Sequence, residues 1–333
     1  MGPAVSNAAT LGAAAVSLAM IVRLLRRDGS RNAVAGALVV AANPYFVIAA
    51  TSLADHVWTI ALLLLGADAA QRRRPASAGL WWGLAIGSRL SSVVTVAGLV
   101  AATLFHRGVE DPVKDRRKSV LVASAVAIVV GISCFVPAWL EYGTRDFMRS
   151  DFEFRGWLNT GGRWLIKHEL IVGIPAALIL VSSIRVVRSS LSRWSESHML
   201  KMAVFGAIGA EVVFFRFPWK VAHLLPVLVL GILILASSPR FRPRLAVALI
   251  IGQLLWGAAA VRTLVPDTPN EAGGGHLRPA VVVGPLWNDI RCRIERVNAN
   301  ASEDLYAEAV SDWLCSNSWW SDGPELPAAE QGQ

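Results

Sequence analysis

The sequence predicts an all-α fold: a polytopic transmembrane helical bundle of about ten helices with a small polar tail on the extracytoplasmic side. Three observations predict it. The 333 residues are 54% hydrophobic and only 17% charged, with a mean hydropathy of +0.48, too apolar for a soluble chain of this size. Apolar segments recur along the chain, several near the ~20 residues that cross a bilayer. Basic residues cluster in the links between those segments. The +8 net charge therefore points to a membrane, with no nucleic acid as partner.

The apolar segments fall at about 8–25, 33–50, 56–71, 77–88, 91–106, 118–137, 167–184, 199–215, 219–237 and 243–262. The pair at 77–88 and 91–106 reads as two short helices or one kinked helix, and the ten-crossing topology needs two. Residues 1–263 are expected to form the transmembrane domain and 264–333 an extracytoplasmic tail, partly disordered. The N-terminus has its charges after its first apolar run, the wrong polarity for a cleavable signal peptide.

Charge sets the expected orientation. The links at 22–34, 71–76, 106–118, 185–201 and 238–244 hold 19 of the 32 Lys and Arg residues. The alternate short links at 43–55, 88–92 and 216–220 hold 0, 1 and 2. Basic links stay in the cytoplasm, so both termini, Asp55, Arg89 and the 216–220 turn are expected outside, at a cell membrane.

That side collects the chemistry. Asp55 and His56 form an acid–histidine pair in a link that is otherwise uncharged. A lone carboxylate beside a membrane helix is costly unless it faces water, a partner or a substrate, which makes Asp55 the leading candidate. The plainer alternative is a solvated acid capping Trp58 or Thr59. Asp68, near the cytoplasmic end of its helix, reads as structural.

The 138–166 loop mixes acids, arginines and aromatics, among them Asp151, Glu153 and Arg155. Two readings stand level: an interfacial aromatic belt, or a surface that meets a sugar or lipid headgroup. Further on, Glu211 sits near the outer end of its helix. Arg216, Lys220 and His223 bracket Phe217-Pro218-Trp219, where Pro218 predicts a sharp turn. Three such cations suit a phosphate, and they also suit snorkelling at a helix end. Pro226 should kink the helix that follows.

Cys134, inside an apolar run, is expected to be a small core residue. Cys292 and Cys315 lie in the tail and pair if the tail is outside; free thiols are the alternative. A strand is expected at Ala280–Val283, and Asn300-Ala301-Ser302 fits a glycosylation acceptor. No metal-ligand spacing, phosphate loop or nucleophile elbow is present.

The order of these features resembles the C-type integral membrane glycosyltransferases, which use polyprenyl-phosphate-linked sugars. The nearest branch is the protein mannosyltransferase and aminoarabinose transferase group. The resemblance rests on Asn43-Pro44-Tyr45-Phe46, on Asp55-His56, on Gly79-Leu80-Trp81-Trp82-Gly83-Leu84-Ala85 with Arg89, and on the 216–228 segment RFPWKVAHLLPVL. It covers roughly residues 5–262.

The resemblance implies sugar transfer from a polyprenyl-phosphate donor to an acceptor, itself not identified, on the outer face of the membrane. It matches Asp55 to the family's second outer-face acid, and Arg89 with the 216–223 cations to positions that line the donor-phosphate side. Together with the residues collected on the outer side, the expected site has Asp55 and His56 as catalytic residues and Arg89, Asp151, Glu153, Arg155, Glu211, Arg216, Trp219, Lys220 and His223 as substrate-binding residues. The resemblance fixes no cofactor and leaves a divalent metal open. In the family a first helix and a loop with the principal catalytic acid precede the part matched here, and residues 7–27 correspond to the family's second helix. The competing expectation is a non-enzymatic membrane transporter or lipid-binding subunit, which mid-helix charges and an inverted repeat would favour.

Overall fold

The structure is a computed structural model and describes residues 3–51, 55–106, 113–147, 164, 167–168, 171–216, 221–266, 275–283, 286–287 and 290. The described chain is helical apart from one two-stranded ribbon. The helices are α1 (Pro3–Arg27), α2 (Ala33–Ala41), α3 (Pro44–Ala50), α4 (Asp55–Gln71), α5 (Pro75–Ser88), α6 (Ser92–Phe105) and α7 (Val113–Phe147). Then follow α8 (Ile174–Ser182), α9 (Ile184–Leu191), α10 (His198–Arg216), α11 (Leu225–Ala236) and α12 (Pro243–Ala258). A 3₁₀ turn, Val221–Leu224, leads into α11.

Three spans are long and apolar enough to cross a membrane: Asn7–Arg27, Asp115–Glu141 and His198–Phe215. The count reaches 5 if two bent pairs each make one span, α2 with α3 at 75° and α8 with α9 at 62°. On α7 an outward row of Leu121, Ile128, Val129, Ile132, Val136 and Leu140 is exposed, the face that a membrane helix gives to lipid.

The first break has a local cause. Pro44 lacks an N–H and cannot continue α2. Asn43 starts α3 instead: its side-chain oxygen accepts from the Tyr45 and Phe46 backbone N–H groups at 3.0 and 3.2 Å. Its amide donates to the Ile171 carbonyl at 2.8 Å, so the same residue also ties down the segment before α8. The Asn43-Pro44-aromatic sequence is thus a helix start inside the core.

Residues 77–106 form two helices, α5 and α6, separated by an extended Arg89 with φ −158° and ψ 107°. α5 lies along α7, and α6 lies along α10. Glycines permit both contacts. A Cβ on Gly83 would stand 2.8 Å from the Ala127 carbonyl oxygen and 2.6 Å from Val130 Cβ, and Gly79 and Gly87 likewise abut Ala123 and Cys134. A Cβ on Gly209 would stand 2.5 Å from the Val94 carbonyl oxygen. Glycine every fourth residue lets two backbones approach, which in lipid is the main source of helix affinity. The Gly79-to-Arg89 motif accordingly places Arg89 by packing.

Two expectations are corrected here. Cys134 is exposed, because it sits on the outer flank of α7 against Gly87. Pro226 does not kink a helix; it occupies the first turn of α11, where its missing N–H costs nothing. The fold is helical as expected up to Ala259, where α12 ends and the strand β1 (Ala259–Pro266) begins. It pairs antiparallel with β2 (Gly275–Val283), which contains the expected strand at Ala280–Val283. Cys292, Cys315, Asn300 and the rest of the chain beyond Ile290 lie outside the described residues.

The five basic links gather at one end of the bundle. Asp28, between α1 and α2, accepts from Arg193 at 3.0 Å and from Ser197. Asn32 donates to the Phe241 carbonyl at 2.5 Å. His106 stacks on His198 with ring centroids 4.5 Å apart. Asp68, its side chain only 10% exposed, is held by Arg23, Arg27 and Arg72 at 3.2, 2.8 and 2.9 Å. Three guanidiniums, two from α1 and one just past the end of α4, on one buried carboxylate make it a structural hub.

Candidate functional site

At the opposite end described residues from two basic-poor links meet, with His223 beside them. Asp55 opens α4 ahead of its apolar run, Arg89 caps α5, and His223 belongs to the 3₁₀ turn. Arg89 Nη1 lies 3.1 and 3.3 Å from the two Asp55 oxygens and 2.5 Å from His56 Nε2. His56 Nδ1 is 2.9 Å from Asp55 Oδ1. The His56 and His223 rings stand 5.5 Å apart.

A guanidinium only donates, so in its contact with Arg89 the acceptor is His56 Nε2, while Nδ1 faces the Asp55 carboxylate. His56 orients Asp55 and Arg89, and its Nε2 reaches a substrate only once Arg89 moves.

Electrostatics follow the same geometry. Burial pushes the Asp55 carboxyl up, but the hydrogen bond and charge of the His56 ring, and after them the charge of Arg89, outweigh it and leave the pKa lowered to about 2. Burial pushes Arg89 down, opposed by Asp55. The Asp55 side chain is nevertheless 49% exposed, against 18% for Arg89. The carboxylate is thus pinned on one side and open on the other.

Hydroxyls complete the surroundings. Arg89 Nε donates to Ser91 Oγ at 3.0 Å, and Thr59 and Ser88 share a 2.7 Å hydrogen bond. Thr59 also donates to the Asp55 backbone carbonyl at 3.0 Å. Behind the cluster, between His56, Thr95, His223 and Pro226, lies a cavity of about 30 Å³, room for roughly two waters.

Of the residues expected at the site, the fold brings together Asp55, His56, Arg89 and His223. Glu211 makes its contacts elsewhere: Oε2 accepts from Trp164 Nε1 at 3.0 Å, and Oε1 is 2.7 Å from His168 Nε2. Arg216 is the last residue of α10. Asp151, Glu153, Arg155, Trp219 and Lys220 lie outside the described residues, as does the Pro218 turn.

Sequence reasoning passed over His168. Its Nδ1 faces the Trp164 carbonyl at 2.8 Å and so carries a hydrogen, which leaves one proton between Nε2 and Glu211. This bond fastens the segment before α8 to α10. The signal was present: polar Lys167-His168-Glu169 opens an otherwise apolar segment.

Among the described residues no group of three or more His, Cys, Asp or Glu is placed to hold a metal ion. At Asp55 a guanidinium occupies the place a cation would take, so the residues present do not fit the divalent metal that the resemblance leaves open. Compared with family models, curated proteins and solved structures, the chain finds no match.

Proposed function

We propose that this protein is a membrane glycosyltransferase that moves a sugar from a polyprenyl-phosphate donor to an acceptor on the outer face of a cell membrane. The observation that carries the reading is the convergence of Asp55, His56, Arg89 and His223 at the basic-poor end. The proposal includes the finer topology: about ten crossings, both termini outside, and the gathered basic links in the cytoplasm.

The chemistry needs a base for the acceptor hydroxyl and a cation for the leaving phosphate. Asp55 with a pKa of about 2 is a weak base while Arg89 holds it. A donor phosphate draws the Arg89 guanidinium away through charge-assisted hydrogen bonds. Asp55 then loses its counter-charge, becomes more basic, and takes the acceptor proton. The acceptor oxygen bonds to the anomeric carbon as the bond from that carbon to the phosphate oxygen breaks, and polyprenyl phosphate leaves against Arg89. Donor binding thereby switches on the base.

The test is transfer by the purified full-length chain from a panel of polyprenyl-phosphate hexoses and pentoses. Asp55→Asn should cut the rate at least ~100-fold, the scale of losing a general base. Arg89→Ala should weaken retention of polyprenyl phosphate itself. Unchanged transfer in Asp55→Asn removes the acid from the mechanism.

A second reading, a carrier, is favoured by one specific feature. The cavity behind Arg89 shares Leu63 and Thr95 with an apolar void of about 20 Å³ deeper in the bundle. That void shares Met199 with a wide cleft at the basic end. Liposomes holding the chain distinguish the two: sugar transfer to an acceptor supports the enzyme, and flux of polyprenyl phosphate without transfer supports the carrier.

A further inference from the structure

The link between α8 and α10 carries a short helix that the candidate site does not use. α9 (Ile184–Leu191) leaves α8 at a 62° bend, with Ser183 between them. Its 8 residues rise only about 12 Å, far short of a crossing.

Its inner face is fixed by the protein. Val186 and Val187 pack against the core. Ser190 is buried; its hydroxyl donates to the Ile234 carbonyl and lies 3.0 Å from that of Ser237. Just past the helix, Arg193 donates to Asp28 and to the Ser237 carbonyl, which holds α9 at the basic end of the bundle.

Its outer face has two unlike flanks. At about 100° per residue, Leu191, Ile184, Arg188 and Arg185 follow one another around the exposed half of the helix. Leu191 and Ile184, 43% and 51% exposed, make an apolar flank. Arg188 and Arg185 make a cationic one, and neither guanidinium has an ion-pair partner among the described residues. The only acid between Ser183 and Ser197 is Glu196, which lines the polar cleft at this end.

Both flanks continue into their surroundings. On α8, Leu178 and Val181 are exposed in the same way as the lipid-facing row of α7. Past the other end of α9, half-exposed Trp194 stacks on Phe205, which stacks on exposed Phe105. Tryptophan collects at the boundary between membrane and water. A helix lying in that boundary turns one side to acyl chains and the other to headgroups. Water alone would leave Ile184 and Leu191 uncovered, and hydrocarbon alone would strand two guanidiniums. An acidic protein partner would match the arginines but not the apolar row that runs on from α8.

We propose that α9 is an in-plane anchor that docks on anionic phospholipid, with Arg185 and Arg188 on the headgroup phosphates and Ile184 and Leu191 against the acyl chains. The anchor is independent of sugar transfer and rests only on the chain being a membrane protein.

Hydrogen exchange of the full chain, read by mass spectrometry over residues 184–191, tests this. The chain is placed in nanodiscs of phosphatidylcholine alone and of phosphatidylcholine mixed with phosphatidylglycerol. Phosphatidylglycerol should slow exchange of α9 about tenfold, between the roughly fivefold of one arginine at an anionic surface and the roughly 25-fold of two. Arg185→Gln with Arg188→Gln, both at exposed positions, should remove that slowing. Arg240→Gln with Arg244→Gln, exposed at the same end, should keep it. Ile184→Gln with Leu191→Gln should speed exchange at least about tenfold in both nanodiscs, because the acyl contact is lost. Glycerol phosphate, the soluble headgroup, should leave exchange in phosphatidylcholine nanodiscs unchanged. Equal exchange in the two nanodiscs, slowing that survives in the Arg185 and Arg188 variant or vanishes in the Arg240 and Arg244 variant, an Ile184 and Leu191 variant that exchanges like the unaltered chain, or slowing by glycerol phosphate each overturns the proposal.

Discussion

Asp68 and Asp55 are both carboxylates on α4, at opposite ends of the helix, and their surroundings differ. Asp68 is 10% exposed and shared by three arginines. Its oxygens are engaged by α1 and by Arg72 just past the end of its own helix, which leaves nothing for a substrate. Asp55 is 49% exposed and meets one guanidinium and one imidazole. Partner count and openness, more than the presence of an acid near a membrane, separate a structural carboxylate from a reactive one.

Substitutions put that contrast at risk. Asp68→Asn leaves three guanidiniums crowded without a counter-charge and should lower stability by about 3 kcal/mol, read as a fall in Tm in detergent. Gly83→Ala places a methyl against the Ala127 carbonyl and Val130, shifts the helix that carries Arg89, and should cost about 1–2 kcal/mol without altering any charge. Asp55→Asn should cost less than about 1 kcal/mol, because an exposed pair contributes little. A large loss of Tm in Asp55→Asn would make this acid structural too.

The smallest effect is in the pH profile. The Asp55 pKa is lowered from the ordinary value near 3.9, so its ionised form stabilises the fold above about pH 4. That contribution fades as pH falls toward about 2. The Tm difference between the unaltered chain and Asp55→Asn should be flat from about pH 5 to 8 and shrink below about pH 4. A slope near neutrality would mean that a histidine, not the carboxylate, carries the coupling.

Much of this contrast was legible in the sequence. The charge clusters marked links that the fold does gather at one end, through Asp28–Arg193, Asn32–Phe241 and His106–His198. Asp55 and Arg89, each isolated in an uncharged stretch, meet as expected. Other features depend on neighbours far along the chain. Gly79 and Gly83 read as part of a family motif until α7 lies against them. Asn43 reads as a helix end until its amide reaches Ile171, and Glu211 reads as a site residue until His168 is across from it. Apolar periodicity also says little when a helix is apolar all round, which is why the end of α12 at Ala258 and the turn to β1 were not visible.

One paired measurement decides between the two carboxylates: transfer from polyprenyl-phosphate sugar per mole of folded protein, for Asp55→Asn and Asp68→Asn side by side with the unaltered chain. The expected result is a rate at least ~100-fold lower in Asp55→Asn with Tm nearly kept, and a lower Tm in Asp68→Asn with the rate per folded molecule kept. Equal rates in Asp55→Asn and the unaltered chain, or a rate lost only in Asp68→Asn, would contradict the assignment of the site to the basic-poor end.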